Sequence, residues 1–463
     1  MAGSRSSAGR AARSERAAFR CVECGWQATK WVGRCGECQA WGTIAEVDAA
    51  PAGVTRVRAV TTTAQPIAEV AAEAAALWPT GVDELDRVLG GGIVSGAVVL
   101  LAGEPGVGKS TLLLDVASRA ASPPRTVLYV TGEESAAQVR MRAERIGALR
   151  PRLLLAAETD LSTVLGHVDA VRPDLLIVDS VQTIASDAVE GAPGNVSQVR
   201  EVAASLIRVA KARSMATLLV GHVTKDGGIA GPRVLEHLVD VVCQFEGDRQ
   251  SRLRMVRAVK NRYGPTDEVG CFDLSDTGIV GLADPSGLFL SRHAEPVPGT
   301  CVTVTLEGRR PLVTEVQALV APSALSNPRR ATSGLDASRV AMVLAVLERR
   351  AGVALVGRDT YVATVGGVRL AEPSTDLAVA LAVASAAADK PLVPGTIAVG
   401  EAGLAGEVRS VTGVGRRLAE AARLGFRQAI VPAGTQDAAP DGMTVFEAAD
   451  LRSALRRGLL GAD

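Results

Sequence analysis

The segment GEPGVGKST, residues 103–111, constrains the fold of this chain more than any other stretch. It follows the apolar run AVVLLA and precedes TLLLDVASRA, so a buried strand, a glycine-rich loop and a helix come in that order. Gly103, Gly108, Lys109 and Ser110 match the G-x-x-x-x-G-K-[ST] spacing of a phosphate-binding loop. An ordinary glycine-rich turn is the alternative, but it leaves the flanking strand and helix unexplained. The segment therefore predicts a nucleoside triphosphate site in a parallel α/β domain.

The loop residues have separate roles in holding a triphosphate. Glycines let backbone N–H groups turn towards phosphate oxygens without a Cβ clash, and the helix adds the positive end of its dipole. Lys109 is expected to reach the β- and γ-phosphates, and the Ser110 hydroxyl is expected to ligate Mg²⁺. We therefore expect ATP and Mg²⁺ as cofactors, bound by Gly103, Glu104, Pro105, Gly106, Val107, Gly108, Lys109, Ser110 and Thr111.

Two further apolar strands end in carboxylates that suit this chemistry. DLLIVDS carries Asp179, about 70 residues beyond the loop, which predicts a second ligand that holds Mg²⁺ beside Ser110. LYVTGEES ends in Glu133 and Glu134. Hydrolysis of ATP needs a carboxylate that orients the attacking water, so both are catalytic candidates alongside Lys109. The sequence leaves open which glutamate has that role, and acidic residues that only favour a helix start are the alternative.

Two more segments carry candidate polar groups. VGHVTKDG brings His222, Thr224 and Lys225 to the same sheet edge, where a γ-phosphate sensor and a hydrogen-bonded core histidine are comparable alternatives. After the strand LRMVRAV, the segment KNRYG contains Lys260 and Arg262, which are further catalytic candidates. Cations there could reach a neighbouring subunit's triphosphate or a nucleic-acid phosphate, and the sequence does not separate these roles. A solvated charged turn is the alternative.

A cysteine cluster near the amino terminus has the spacing of a metal site. Two C-x2-C knuckles, separated by ten residues, are formed by Cys21, Cys24, Cys35 and Cys38. Four thiolates with this spacing close a tetrahedron around Zn²⁺ and leave no position open for catalysis. A redox pair is the alternative, which the paired knuckles disfavour. We predict a structural zinc module whose core is packed by Trp26, Trp31 and Trp41.

Composition excludes several classes of function. The net charge is zero, so no overall field favours nucleic acid or a membrane, and aromatic residues make up only 3%, which argues against a wide base-stacking platform. No apolar run is long enough to span a bilayer, and the arginine-rich first 20 residues lack the apolar core of a secretory signal. Cysteines in metal-type pairs indicate a reducing compartment, so we expect a cytoplasmic protein with no membrane partner.

The chain resembles the bacterial RadA (Sms) family of DNA-repair proteins from Cys21 to about residue 455. The resemblance rests on four features in this order: the zinc knuckles, GEPGVGKST, DLLIVDS and KNRYG. The resemblance implies an α/β RecA-like P-loop ATPase core, a small N-terminal zinc ribbon and a C-terminal α+β Lon-protease-like domain. It also implies a DNA-dependent ATPase that forms a homo-oligomeric, hexameric ring. Such a ring would move on single-stranded DNA and drive branch migration of branched recombination intermediates next to RecA.

The carboxyl-terminal region resembles Lon protease without its catalytic pair. In EPSTDLAVALAVAS, Ser374 stands at the position of the nucleophilic serine. In SVTGVGRRLAEAARLGF, Gly415 stands where Lon has the lysine base, and an arginine cannot replace that base because it keeps its proton. We therefore expect an inactive protease in which Ser374 caps a helix. The domain would build the ring and offer these arginines to DNA: Arg416, Arg417, Arg423 and Arg427.

These features divide the chain into six parts: a disordered basic arm (1–20), a zinc module (21–45), a linker (46–76), the ATPase domain (77–290), a connecting segment (291–334) and the Lon-like domain (335–463). A peptidase that uses Ser374 and a nucleotide-controlled switch are the alternatives to a DNA motor. The response of ATP turnover to single-stranded DNA distinguishes the motor from the switch.

Overall fold

The computed structural model describes residues 19–46, 66–69, 76–222, 233–247, 252–291, 295–435 and 439–459. The predicted basic arm and most of the predicted linker lie outside these residues, as do Thr224 and Lys225. The chain divides into two compact units, Met1–Ala71 and Ala72–Asp463, which are described separately. Among the described residues, no helix is long and apolar enough to cross a membrane.

The first unit is a small antiparallel sheet around the cysteine knuckles. Its strands, in the order β2–β1–β3, are β1 (Phe19–Cys21), β2 (Gln27–Ala28) and β3 (Ile44–Glu46). A 3₁₀ turn follows at Ile67–Glu69. Trp26 packs against the buried cysteines, but Trp31 and Trp41 are 65% and 74% exposed. The prediction that all three tryptophans pack the core was therefore wrong for two of them.

The second unit begins with a large, mostly parallel sheet. After a short pair, β4 (Leu77–Trp78) and β5 (Ile93–Val94), come nine strands: β6 (Val98–Gly103), β7 (Val127–Thr131), β8 (Leu153–Ala157), β9 (Leu175–Asp179), β10 (Ala216–His222), β11 (Val241–Glu246), β12 (Leu253–Asn261), β13 (Val269–Ser275) and β14 (Gly278–Gly281). Their order is β14–β13–β12–β11–β6–β10–β9–β7–β8. Strands β6 to β11 run parallel, and β12 to β14 are antiparallel additions.

Helices cover the faces of this sheet, as a parallel sheet requires. They are α1 (Asp83–Leu89), α2 (Lys109–Ala120), α3 (Ala136–Arg145), α4 (Leu161–Val171), α5 (Val196–Arg213) and α6 (Arg233–Glu236), with a 3₁₀ turn at Pro285–Leu288. The central strands are buried along their whole length, which explains why their sequences are continuous apolar runs. Ser135 begins α3 with a capping box that includes Gln138. The carboxyl ends of the parallel strands therefore meet at one sheet edge, where the loops that follow them come together.

A second sheet forms the carboxyl-terminal domain. Its strands, in the order β17–β18–β16–β15–β19–β22–β23, are β15 (Thr300–Glu307), β16 (Arg310–Pro322), β17 (Arg330–Ser333), β18 (Arg358–Thr364), β19 (Thr396–Ala398), β22 (Gln428–Pro432) and β23 (Thr444–Ala448). A separate hairpin is formed by β20 (Glu401–Ala402) and β21 (Val408–Arg409). The helices are α7 (Ala337–Val346), α8 (Asp376–Ala388), α9 (Val414–Arg423) and α10 (Leu451–Gly458), with a π turn at Leu347–Ala351 and 3₁₀ turns at Val365–Gly367 and Pro373–Thr375.

The predicted connecting segment, 291–334, is mostly part of this second sheet. β15 and β16 pair in antiparallel register from Thr300↔Gln317 to Glu307↔Arg310, and β17 pairs with β18. The turn and linker residues after Pro322 are real, but the strands before them are central to the domain. The two sheets also share a buried core, and Arg310 forms a buried ion pair with Glu84 of α1. The connecting-segment prediction is therefore corrected: the second domain begins near residue 300.

Candidate functional site

The loop between β6 and α2 has the backbone shape that its spacing predicts. Gly106 and Gly108 have φ values of 82° and 109°, where a residue with a Cβ is strained. Gly108 begins α2 without any side-chain cap, so the first N–H groups of the helix stay available to an anion. At Gly103, a Cβ would lie 2.5 Å from the carbonyl oxygen of Phe245 on β11. Loop conformation and close strand packing together explain these three glycines.

Lys109 is buried at the start of α2 and points back into this loop. Its Nζ donates to the carbonyl oxygens of Gly103 and Glu104, both at 2.8 Å. Burial lowers the pKa of Lys109 to about 8, while the charges of Asp179 and Glu133 act in the opposite direction. The ammonium is thus held where phosphate oxygens, which are stronger acceptors than carbonyls, could replace its present partners.

Asp179 ends β9 with one oxygen satisfied and the other unpartnered. The hydroxyl of Tyr129 on β7 donates to Oδ2 at 2.6 Å. Burial, reinforced by the charge of Asp179, raises the pKa of Tyr129 well above its usual range, so the phenol stays a donor. Oδ1 is buried, and no described residue donates to it. A fixed carboxylate with one free oxygen is a suitable Mg²⁺ ligand, and Ser110 lies half-buried in the first turn of α2 as the second candidate.

Glu133 follows β7 and faces the same sheet edge. Its Oε1 accepts a 2.5 Å hydrogen bond from the Ser180 hydroxyl and lies 2.7 Å from Nε2 of His222, at the end of β10. The hydrogen bond with His222 lowers the pKa of Glu133 to about 2, helped by Ser180 and opposed by burial. The side chain remains 37% exposed. Glu133 is therefore an ionised, oriented carboxylate that solvent can reach.

Glu134 points elsewhere, although it is the next residue. Its carboxylate forms an ion pair with Arg142 of α3, and its backbone N–H donates to Oγ1 of Thr131. Of the two glutamates that the sequence left open, only Glu133 contacts groups at the ends of the neighbouring strands. The structure thus brings together Lys109, Asp179 and Glu133, and it places Glu134 at the start of α3.

Two residues that support this site were missed in the sequence. Tyr129 holds Asp179 by a hydrogen bond. The available signal in the sequence was a tyrosine inside a buried apolar strand, because its hydroxyl needs a hydrogen-bond partner there. Arg254 is buried on β12, and its Nε donates to the carbonyl oxygen of Val107 at 3.1 Å. The available signal was an arginine near the start of the apolar segment LRMVRAV, but the spacing gave no hint that this arginine holds the phosphate loop.

KNRYG lies at the amino ends of the parallel strands, whereas the phosphate loop lies at their carboxyl ends. β12 runs antiparallel to β11 and ends where β11 begins, with Val241 opposite Asn261. Val241 also pairs with Val99, near the start of β6, whereas the phosphate loop follows the end of β6. A strand of this length spans about 20 Å. The structure therefore does not bring Lys260 and Arg262 to the nucleotide site of their own chain.

The two cations of this motif have different surroundings. Nζ of Lys260 donates to the carbonyl oxygens of Glu236 and Val239, both at 2.7 Å, so this ammonium anchors the turn before β11. Nη1 of Arg262 lies 3.2 Å from the buried Asp240 carboxylate, yet the Arg262 side chain is 56% exposed. The Arg262 guanidinium is consequently held by Asp240, and the exposed part of the side chain can contact another molecule.

The four cysteines of the first unit have the geometry of a zinc site. The Sγ atoms of Cys21 and Cys38 are 3.7 Å apart, those of Cys24 and Cys35 are 3.5 Å apart, and all four lie within 4.8 Å of one another. A tetrahedron with Zn–S bonds of about 2.3 Å has edges of about 3.8 Å, so this set fits Zn²⁺. A Cβ on Gly36 would lie 2.7 Å from Cζ2 of Trp26, which shows how closely this indole covers the second knuckle.

Ser374 lies in a closed cluster and is not a helix cap. It belongs to the 3₁₀ turn before α8, it is 2% exposed, and its Oγ accepts a 3.0 Å hydrogen bond from Nη1 of Arg417. Arg417 also binds both carboxylate oxygens of Glu372, at 2.6 and 2.8 Å, and the carbonyl oxygens of Val304 and Thr412. Burial raises the pKa of Glu372, but the hydrogen bonds and charge of Arg417, together with hydrogen bonds from Ser374 and Thr305, outweigh burial, so the pKa is lowered. The predicted N-cap role of Ser374 is therefore corrected.

The same cluster removes one arginine from the predicted DNA surface. The Arg417 side chain is fully buried, because α9 turns it inward to Glu372, so it cannot meet DNA. Gly415, which the resemblance to Lon placed at the lysine position, contributes no side chain to the cluster. Arg416 and Arg427 are exposed, and the exposed Arg423 pairs with Asp284 and Glu420.

Three segments of the chain match known protein families. Residues 19–46 match a rubredoxin metal-binding domain, residues 68–228 match an AAA domain, and residues 366–435 match subunit ChlI of Mg-chelatase. Among solved structures, a KaiC-like protein from Pyrococcus horikoshii matches with a TM-score of 0.38 and 21% identity, over 45% of this chain and 99% of that one.

Fold and sites define a RecA-like P-loop ATPase with an N-terminal zinc ribbon and a C-terminal α+β domain of the Lon-protease type. Curated relatives named "DNA repair protein RadA" are 55% identical in Mycolicibacterium smegmatis, over 95% of this chain and 96% of that protein, and 56% identical in Mycobacterium tuberculosis, over 95% and 93%. The Bacillus subtilis relative of the same name is 42% identical over 96% of this chain and 98% of its own length. The chain belongs to the RadA family of DNA-repair proteins, which confirms the expected fold class and family.

Proposed function

We propose that this chain is a DNA-dependent ATPase that processes branched recombination intermediates by translocation and branch migration on single-stranded DNA, alongside RecA. The observation that carries the ATPase part is the convergence of Lys109, Asp179 and Glu133 at one sheet edge. The relatives' name, DNA repair protein RadA, supports the DNA part.

In this proposal each residue of the nucleotide site has one task. The glycine-rich loop and Lys109 bind the β- and γ-phosphates, while Ser110 and Asp179 would hold Mg²⁺, which neutralises phosphate charge when bound. Glu133 orients the attacking water, since it is ionised and exposed, whereas Glu134 is committed to Arg142. Tyr129 fixes the carboxylate of Asp179 by its short hydrogen bond.

The KNRYG motif is proposed to act between molecules. Because it lies far from the nucleotide site of its own chain, Arg262 would reach either the triphosphate of the next subunit in a ring or a DNA phosphate. Lys260, with both carbonyl partners in its own chain, would position that turn. A site shared between neighbouring subunits fits a hexameric ring. We expect this ring in the cytoplasm.

For the carboxyl-terminal domain we propose a scaffold role without peptidase activity. The guanidinium next to Ser374 keeps its proton and cannot activate the hydroxyl as a base. Arg416, Arg423 and Arg427 remain candidates for contact with DNA.

ATP turnover of the full chain, with and without single-stranded DNA, tests the proposal. We expect strong stimulation by DNA in the wild type and no turnover in Lys109→Ala. Flat turnover in the wild type would instead favour a nucleotide-controlled switch.

The variant Arg262→Ala tests the KNRYG motif. If Arg262 acts on nucleotide, turnover falls even without DNA; if it acts on DNA, only the stimulation and its salt dependence shrink. Arg409→Ala is the matched control, since Arg409 is also 56% exposed and paired with a carboxylate. Normal turnover, DNA binding and branch migration in Arg262→Ala would reduce the motif to a solvated turn.

A further inference from the structure

Two tryptophans of the zinc ribbon lie on its surface, where a domain of this size would normally use them in its core. Trp31 and Trp41 are 65% and 74% exposed, whereas Trp26 covers the second knuckle. Exposed indoles are unusual in globular domains, and a pair of them marks a binding surface. The zinc site does not need them, because the four cysteines already close the metal shell.

Both indoles lie close to one glycine. A Cβ placed on Gly33 would be 3.7 Å from Cη2 of Trp31 and 3.8 Å from Cζ3 of Trp41. The guanidinium of Arg34 lies over the Trp41 ring, 5.7 Å from its centroid, and its Nε is fixed by a 2.9 Å hydrogen bond to the carbonyl oxygen of Gln39. Trp31 and Arg34 thus lie on the loop 25–34 between the knuckles, and Trp41, which follows the second knuckle, is joined to Arg34 by a backbone bridge. We call Lys30, Trp31, Arg34 and Trp41 the tryptophan surface.

The charge of this loop indicates what it binds. The segment 25–34, GWQATKWVGR, contains two cations and no acidic residue. Glu23 and Glu37 each lie inside a cysteine knuckle and not in that segment. Because indole faces next to cations suit stacked bases joined by phosphates, a single-stranded nucleic acid is the occupant that matches both features. An apolar protein partner would match the indoles but not the cations.

We propose that the tryptophan surface stacks bases of single-stranded DNA, with Lys30 and Arg34 contacting its phosphates. The inference rests on the proposed function, because it assigns a second, base-stacking contact to a protein proposed to act on DNA. Stacking on an aromatic face tolerates every base, which suits a motor without sequence preference. The low aromatic content argues against a wide stacking platform, and two exposed indoles offer only a narrow one.

The test measures how tightly the full-length chain binds two fluorescein-labelled oligonucleotides of equal length and charge. One is an oligothymidylate and the other is its abasic counterpart. Wild type should bind the thymidylate more tightly than the abasic strand. Trp31→Ala/Trp41→Ala should weaken thymidylate binding by about tenfold or more and abolish the difference between the strands. Trp31→Phe/Trp41→Phe should retain most of the difference, since phenyl rings also stack. Val356→Ala/Leu404→Ala, at exposed apolar residues of the second unit, is the control that should change nothing.

Zinc content shows whether each variant keeps the ribbon folded. A measurement on the wild type alone avoids that question: thymidylate should shield the exposed indoles from acrylamide quenching, and the abasic strand should not. A wild type that binds neither strand contradicts the proposed function itself. A wild type that binds both strands equally, or without shielding, overturns only the tryptophan surface, which would then be assigned to a protein partner.

Discussion

Two clusters of charged residues in the second unit, around Asp179 and around Arg417, differ in how completely their polar groups are satisfied. At the carboxyl edge of the first sheet, Oδ1 of Asp179 has no donor among the described residues and Glu133 is 37% exposed. In the second domain, Arg417 is fully buried with five acceptors around it, and Ser374 accepts one of its hydrogen bonds. One cluster is open to a ligand, and the other is closed upon itself.

This is the difference we expect between a site that binds a ligand and a network that only stabilises the fold. An unsatisfied buried oxygen destabilises the free protein, so a fold retains it where a ligand completes it. A satisfied network contributes to a unique packing and has no capacity left for substrate. ATP hydrolysis should therefore depend on the open cluster around Asp179, and the free energy of unfolding should depend on the closed cluster around Arg417.

The largest effect is expected from a pair of adjacent substitutions in the open cluster. Glu133→Gln should lower ATP turnover by about a hundredfold or more, because the amide cannot polarise water as a carboxylate does. ATP binding should persist, since Lys109 and Asp179 are unchanged. Glu134→Gln is the matched control and should cost little, because Glu134 only pairs with Arg142. Steady-state turnover measures both, and the reverse ranking would show that the assignment is wrong.

In the closed cluster, Arg417→Ala should destabilise the second domain by about 3 kcal/mol, because it empties a fully buried site and removes the charged partner of Glu372, which is 26% exposed and keeps one hydrogen bond from the N–H of Leu306. Calorimetric unfolding of the full chain measures this loss. The neighbouring Arg416→Ala is the control: Arg416 is exposed and makes one 3.4 Å contact with a carbonyl, so its loss should cost less than about 0.5 kcal/mol. Equal effects of the two variants would mean that the Arg417 network contributes nothing to stability.

A smaller effect concerns pH. The pKa of Lys109 is about 8 without nucleotide, well below its value in an unfolded chain. Bound phosphates favour the charged ammonium, so binding takes up a proton at higher pH, and the Kd for ATP should rise by up to about tenfold per unit above pH 8. Titration with a fluorescent ATP analogue measures this. Lys109→Arg keeps its proton and should flatten the profile; a wild-type Kd unchanged from pH 7 to 10 would refute the linkage.

The smallest effect is predicted for Ser374→Ala. The purified protein should not cleave an unfolded casein-like substrate with or without ATP, and the substitution should leave ATP turnover unchanged. Casein cleavage that disappears in Ser374→Ala would show that the closed cluster is a peptidase after all.

Local spacing in the sequence was sufficient for the phosphate loop, for the Asp179 strand and for the zinc ligands. Each of these depends on residues within one strand–loop–helix or one pair of knuckles, and the structure places them accordingly. The distinction between Glu133 and Glu134 could not be predicted, because it depends on His222, 89 residues away in sequence. Spacing alone cannot give such a contact.

The closed cluster was misjudged for a related reason. The resemblance to Lon put Gly415 at the lysine position, but the long side chain of Arg417, two residues further along α9, is the one that reaches Ser374. Turn residues after Pro322 obscured the alternating pattern of β15 and β16, so two central strands were assigned to a connecting segment. The exposure of Trp31 and Trp41 was missed because a small zinc module was expected to bury every large apolar side chain.

Branch migration of a synthetic recombination intermediate by Glu133→Gln and Ser374→Ala, measured side by side, tests the contrast between the two clusters most directly. The open cluster is predicted to drive the reaction, so Glu133→Gln should yield no product above the protein-free rate, while Ser374→Ala should match the wild type. Normal migration by Glu133→Gln, or its loss in a folded Ser374→Ala protein, would contradict the assignment of the chemistry to the open cluster.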